Sequence, residues 1–291
     1  MVNACKPKNE APNIVFEEEV LNRVDNGHLG HKNLSDYGFF TGFLVDLVPA
    51  KNVHPYELNT PLFSDYAQKK RFIYLPEGSI IEYHPTEVFD FPVGTVLIKN
   101  FYYDDAQLIN QKGRIIETRL LIKKAREWQA LPYIWNSEQT DAILEITGGA
   151  QEISLLGKKL IHYQIPNMGQ CKGCHQRNGT LQPIGPTARQ LNRNHLDDGG
   201  KSINQLRRLS RLGLLSVSEK EAFPKFSVWN DPKTGSLDER ARAYLEMNCA
   251  HCHRKEGPAK NSGLYLMSTS NSRHALGLSL IHISEPTRRR G

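Results

Sequence analysis

Cys171-Lys172-Gly173-Cys174-His175 and Cys249-Ala250-His251-Cys252-His253 hold the residues whose types and spacing can do chemistry. Both read C-x-x-C-H. Two thiols three positions apart lie on about one helical turn, and an imidazole follows at once. Thiols so placed can add to the two vinyl groups of one porphyrin, and the histidine then reaches the iron as its proximal ligand. On this reading Cys171, Cys174, Cys249 and Cys252 bind two haem c groups covalently, and His175 and His253 ligate the irons. The chain has five cysteines, so Cys5 alone is left and no structural disulfide is expected.

Zinc is the alternative use of the same residues. C-x-x-C pairs build structural zinc sites when about 12 to 20 residues separate them. Here the pairs start 78 positions apart, at 171 and 249, and each is followed directly by histidine. A thioredoxin-type dithiol would want one C-x-x-C inside a βαβ unit, which neither copy has. For the distal side of the first haem, His195 is a candidate, 20 positions beyond His175 in an expected loop. Met247 is a second candidate, the one methionine between the motifs. Met168 is too close to Cys171 to cross a porphyrin plane, and Met267 follows His253 by only 14 positions.

Bulk properties bound the rest. The 291 residues suggest two or three domains, and a 39% hydrophobic fraction supplies real cores. No apolar run reaches 18 residues, so no membrane span is expected. Lys and Arg number 37 against 31 Asp and Glu, a formal charge of +6 that is spread rather than blocked. Lys69-Lys70-Arg71 and Lys123-Lys124 read as solvated faces, and nothing points to nucleic acid. Haem c is attached outside the cytoplasm, so a periplasmic or cell-envelope location is expected, although no signal peptide is visible. Val2-Asn3-Ala4-Cys5 resembles the tail of a bacterial lipoprotein signal, which implies membrane anchoring through a lipidated Cys5. Residues 278–291 resemble the translation of a sequencing adapter, so His282 and Arg288 to Arg290 are kept out of the site.

The elements that must position the motifs give an α+β class. Residues 1–33 read as a flexible tether with a weak helix near 16–24. Residues 34–166 read as an antiparallel, sandwich-like β domain. Short apolar runs recur there between turn signals, and 114–123 alternates, with Ile116, Thr118, Leu120 and Ile122 opposite Glu117, Arg119 and Lys123. Residues 167–235 read as a first haem region and 236–277 as a second, both mainly helical and cytochrome c-like, the second incomplete. The first motif is expected to open a short helix. Ser202 and Gln205 spell a capping box before a stripe of Leu206, Leu209 and Leu212, with Gly213 as the stop. Ser236 and Glu239 spell another, before a helix whose apolar side is Leu237, Ala241, Tyr244 and Leu245 and which delivers Cys249.

Longer words add a resemblance. Residues 58–66 (LNTPLFSDY), 91–95 (FPVGT), 117–121 (ETRLL), 170–175 (QCKGCH), 183–189 (PIGPTAR), 204–206 (NQL) and 240–253 (RARAYLEMNCAHCH) resemble one group of bacterial dihaem c-type cytochromes of unassigned substrate. Genes of that group tend to lie beside one for a parallel β-helix repeat protein. The resemblance implies two covalent haems behind a β-rich region, outside the cytoplasm. It implies no known reaction; haem iron cycling between Fe(III) and Fe(II) favours electron transfer, with a redox protein or a small-molecule donor or acceptor as partner. An enzymatic alternative is a dihaem oxidoreductase or peroxidase with an open distal site. A non-redox alternative is a zinc-stabilised binding module.

Overall fold

Six strands form one antiparallel meander in a computed structural model that describes residues 29–109, 112–157, 160–196, 200–270 and 272–277. The expected anchor at Cys5 and the tail from 278 onward lie outside the described residues. The strands are β1 (Val53–Tyr56), β2 (Gln68–Tyr74), β3 (Val96–Tyr103), β4 (Arg114–Lys123), β5 (Trp128–Trp135) and β6 (Ala142–Leu144), paired in chain order. They are rich in Ile and Tyr, which pack well on a pleated surface.

Both faces of this sheet are buried, which is why several strands read as nearly unbroken apolar runs. One face carries Phe72, Ile98, Leu120 and Tyr133, and the segment bearing Leu34, Tyr37 and Phe39 covers it. The other carries Ile73, Leu97 and Ala130, and packs against Cys171, Leu206, Leu209 and Met247. That second core draws on residues from each of the expected segments 34–166, 167–235 and 236–277. At the far end of the same face, Phe101 and Tyr103 pack under a hairpin of β7 (Gly149–Ser154) and β8 (Leu160–Ile165).

The expectation of mainly helical, cytochrome c-like regions after residue 166 is corrected by the structure. Four α-helices occur among the described residues: α1 (Met168–His175), α2 (Ala188–Leu191), α3 (Gln205–Arg211) and α4 (Leu237–Asn248). The longest has 12 residues. Loops and a small hairpin of β9 (Asn194–Leu196) and β10 (Ser202–Asn204) separate them. Pro183, Pro186, Pro224 and Pro232 punctuate the segment, and a proline removes a donor and blocks helix continuation. Helices this short do not hold alone in water; they persist because the sheet gives them a surface.

Local details shift with that packing. Ser202 lies in β10, and Asn204 is the N-cap of α3, accepting from the amides of Leu206 (3.1 Å) and Arg207 (3.3 Å). Gln205 does not reach back to a cap; its buried amide bonds the backbone of Glu57 instead. Ser236 and Glu239 do form the capping box of α4. The buried side of α4 is Ala243 and Met247, however, while Leu237 is 74% exposed, because this helix rests on the sheet core through small and flexible side chains. No helix among the described residues is long and apolar enough to cross a membrane.

Candidate functional site

The first motif closes α1 instead of opening a helix. Asn167 caps that helix, accepting from the Gln170 amide at 2.8 Å, and Gln170 reciprocates at 2.9 Å. Cys171, Cys174 and His175 therefore fall in its last turns, with Cys171 buried against the sheet. His175 Nδ1 lies 2.9 Å from the Gln182 carbonyl oxygen. Donation there fixes the tautomer and leaves Nε2 as the free lone pair. Burial pushes the His175 pKa down to about 4, so the ring is neutral at physiological pH. Burial likewise pushes the Cys171 thiol up.

The second motif follows α4, which ends at Asn248, one residue before Cys249. Cys249 to His253 form tight turns, with the Cys252 and His253 amides both bonded to the Cys249 carbonyl oxygen. His253 Nδ1 lies 3.1 Å from Ser262 Oγ. The four described cysteines are all free thiols. The motifs also meet. Burial and the nearby Cys174 thiol both push Cys252 up, and the Asn178 amide bonds the Glu256 carbonyl oxygen at 2.9 Å. Glu87 bridges the loops after the two motifs, 2.8 Å from Arg177 and 3.4 Å from Arg254. A small cavity of about 60 Å³ lies at this junction, lined by Cys174, His175, Met247, His251 and Met267 among others.

A larger cavity, about 280 Å³, separates the first motif from the sheet. Cys171, Cys174 and His175 form one wall, and Leu58, Leu97, Leu121, Ile184 and Met247 supply apolar surface. Three cations, Arg71, Lys99 and Arg119, line it as well. Arg71 of β2 pairs in register with Lys99 of β3, and Lys99 with Arg119 of β4. Lys69-Lys70-Arg71 is therefore not a uniformly solvated face: Lys70 is exposed, whereas Arg71 is 7% exposed. The sequence singled out none of this row as functional. Its signal was a lone lysine inside the apolar run of β3 and an arginine at the matching place in β4, and only the register puts them side by side.

His195 goes elsewhere. It lies in β9 opposite Ile203, at a minor cavity lined by His54, Tyr56 and Arg208, not at either cavity of the motifs. Met247 lines both of those cavities. His84 accepts from its own loop amides, and His162 faces Glu152 on the exposed hairpin.

The expected function is corrected as well. The sequence reading was a dihaem cytochrome for electron transfer, with a dihaem oxidoreductase and a zinc-stabilised module as alternatives. Among the described residues no group of three or more His, Cys, Asp or Glu is arranged to hold a metal ion. Neither motif is set in a helical cytochrome c-type fold. The described donors come instead as thiol pairs, each followed by a single imidazole.

The chain matches none of the protein-family models, curated proteins or solved structures with which it was compared. The geometry of the cavities therefore carries the functional reading.

Proposed function

We propose that the chain is a covalent haem-binding protein in which Cys171 and Cys174 attach haem c in the cavity beside the sheet, with His175 as the iron ligand. The observation that carries this reading is the setting of His175. Its Nδ1 is engaged by a backbone carbonyl and its ring is neutral, while the two thiols before it line the same cavity. Metal-bound histidines are usually oriented in this way. Cys249, Cys252 and His253 offer the same donor types for a second haem, with Ser262 in the place of the carbonyl.

The residues present fit such a group in kind. The thiols are free, and the cavity lining combines leucine side chains with the cations Arg71, Lys99 and Arg119. Attachment adds each S–H across one vinyl double bond: sulfur bonds the carbon next to the ring and hydrogen goes to the terminal carbon, with no net redox change. When bound, haem supplies a redox-active iron. The protein's own part is to hold the thiols at one face of the cavity, present His175 Nε2 and exclude water with leucine and methionine side chains. Because this attachment takes place outside the cytoplasm, the reading includes a periplasmic or cell-envelope location.

Haem per polypeptide tests it. The chain is exported from a host with haem c maturation and assayed by pyridine haemochrome spectrum and haem-stained denaturing gel. Two haems are expected, with one lost in Cys171→Ala/Cys174→Ala and the other in Cys249→Ala/Cys252→Ala. A chain without covalent haem overturns the reading.

A further inference from the structure

We propose that the row Arg71–Lys99–Arg119 is a carboxylate-binding floor of the large cavity, built to take two carboxylate charges. Three observations carry it. First, the three cations are direct cross-strand partners on one face of adjacent strands. Like charges placed directly opposite destabilise a sheet, so such a row persists for a reason other than folding. Second, their compensation is incomplete. Glu117 is fully buried and pairs with Arg119 at 2.5 Å, and Tyr163 Oη donates to the same carboxylate at 2.6 Å. Among the described residues Arg71 and Lys99 form no ion pair, and the pull of Tyr56 and Glu57 on Arg71 and of Glu117 on Lys99 acts from beyond salt-bridge distance. Glu57, the carboxylate nearest Arg71, is held by Arg193 at 2.8 Å. Among the described residues Arg71 Nη2 is buried without a hydrogen bond, and the Lys99 ammonium lies over the Phe101 ring at 4.6 Å. Third, all three cations line the cavity, and no Asp or Glu does so among the described residues.

Two unmatched positive charges at the end of an apolar cavity call for an acid with an apolar body and two carboxylates. The carboxylates have two sources. One is the propionate pair of a porphyrin seated at the first motif, and this arm rests on the haem reading. The other is a free dicarboxylic acid, and this arm does not.

The test uses the full chain produced without haem, as wild type and as Lys99→Met, with Arg71→Gln as the second variant should Lys99→Met fail to fold. Each is titrated with mesoporphyrin IX, its dimethyl ester and succinate, following tryptophan fluorescence and heat. Mesoporphyrin has no vinyl groups, so the thiols cannot capture it. Mesoporphyrin bound at least tenfold more tightly than its ester, with the difference erased in the variant, assigns the row to porphyrin propionates. Saturable succinate binding, lost in the variant, assigns it to a free dicarboxylic acid. If a folded variant binds all three probes as the wild type does, or if the wild type binds none, the proposal is overturned. Failure of covalent haem attachment alongside saturable succinate binding would remove the haem reading and leave the cationic floor standing.

Discussion

Arg71 and Lys99 face each other in register across β2 and β3, two positive charges on the cavity side of the sheet with no carboxylate between them. Desolvation pushes both pKa values down, Lys99 well below the usual lysine range. The chain holds these cationic groups at the expense of its own stability. Lys99→Met keeps the length of the side chain, removes a half-buried charge and gives up one contact with the Phe101 ring. It is expected to raise the unfolding free energy of the chain by about 1–2 kcal/mol in urea titration. Lys51→Met, which alters an exposed pair with Glu77, should stay within about 0.5 kcal/mol. A loss of stability in Lys99→Met would show that the lysine is compensated after all.

Glu117 is the one carboxylate buried under this row. It accepts two hydrogen bonds from Arg119, at 2.8 and 2.5 Å, and one from Tyr163 at 2.6 Å. Removing its charge leaves the half-buried Arg119, whose side chain is 29% exposed, unpaired, so Glu117→Gln should cost about 3 kcal/mol, the low end for a buried pair. Tyr163→Phe removes one bond to a charged group and should cost about 1.5–3 kcal/mol. Chemical denaturation of both variants checks the order, which reverses if the tyrosine is the main support.

Lys69, beside the row, has its pKa pushed down to about 8 by burial and then by Arg71 and Arg119, against a weaker pull from Asp65. Above that pH the folded chain releases a proton that the unfolded chain keeps until about 10.4. The unfolded state then binds more protons, so stability rises with pH between about 8 and 10.4. The slope from this group is at most about 1.4 kcal/mol per pH unit. Unfolding free energies measured between pH 7.5 and 9.5 should rise in the wild type and rise less in Lys69→Met. Equal slopes would mean that Lys69 titrates as an ordinary surface lysine.

Gln205 ties α3 to the strand region through two bonds and to α2 through a third. It accepts from the Glu57 amide at 2.7 Å and donates to the carbonyl oxygens of Glu57 and Leu191, each at 3.1 Å. It is 3% exposed, so water cannot replace these partners. Gln205→Leu should cost about 2–4 kcal/mol, since each buried group left unpaired costs about 1–3 kcal/mol. Thermal unfolding of the variant reads this directly, and a change below about 0.5 kcal/mol would show that the latch is dispensable.

The amino-acid sequence by itself determined the local chemistry. It placed two thiol pairs with an adjoining imidazole at 171–175 and 249–253, and it spelled the capping box at Ser236 and Glu239. Such features depend on spacing along a few residues, and spacing is written in the chain. Tertiary structure decided what those residues face. The alternation in 114–123 put Glu117 and Arg119 on the side opposite Leu120, but whether that side met water or protein depended on what packed over it. The hairpin and α1 partly cover it, and Arg119 became part of a row lining a cavity. His195 looked free to reach the first motif by sequence distance, and its pairing with Ile203 took it to another cavity. The helical expectation for 167–277 failed for the same reason. Capping signals and apolar stripes show where a helix can start, while prolines and the supporting sheet set how far each one runs. Register, cover and the meeting of distant segments are long-range outcomes, and they turned three scattered cations into one wall facing Cys171.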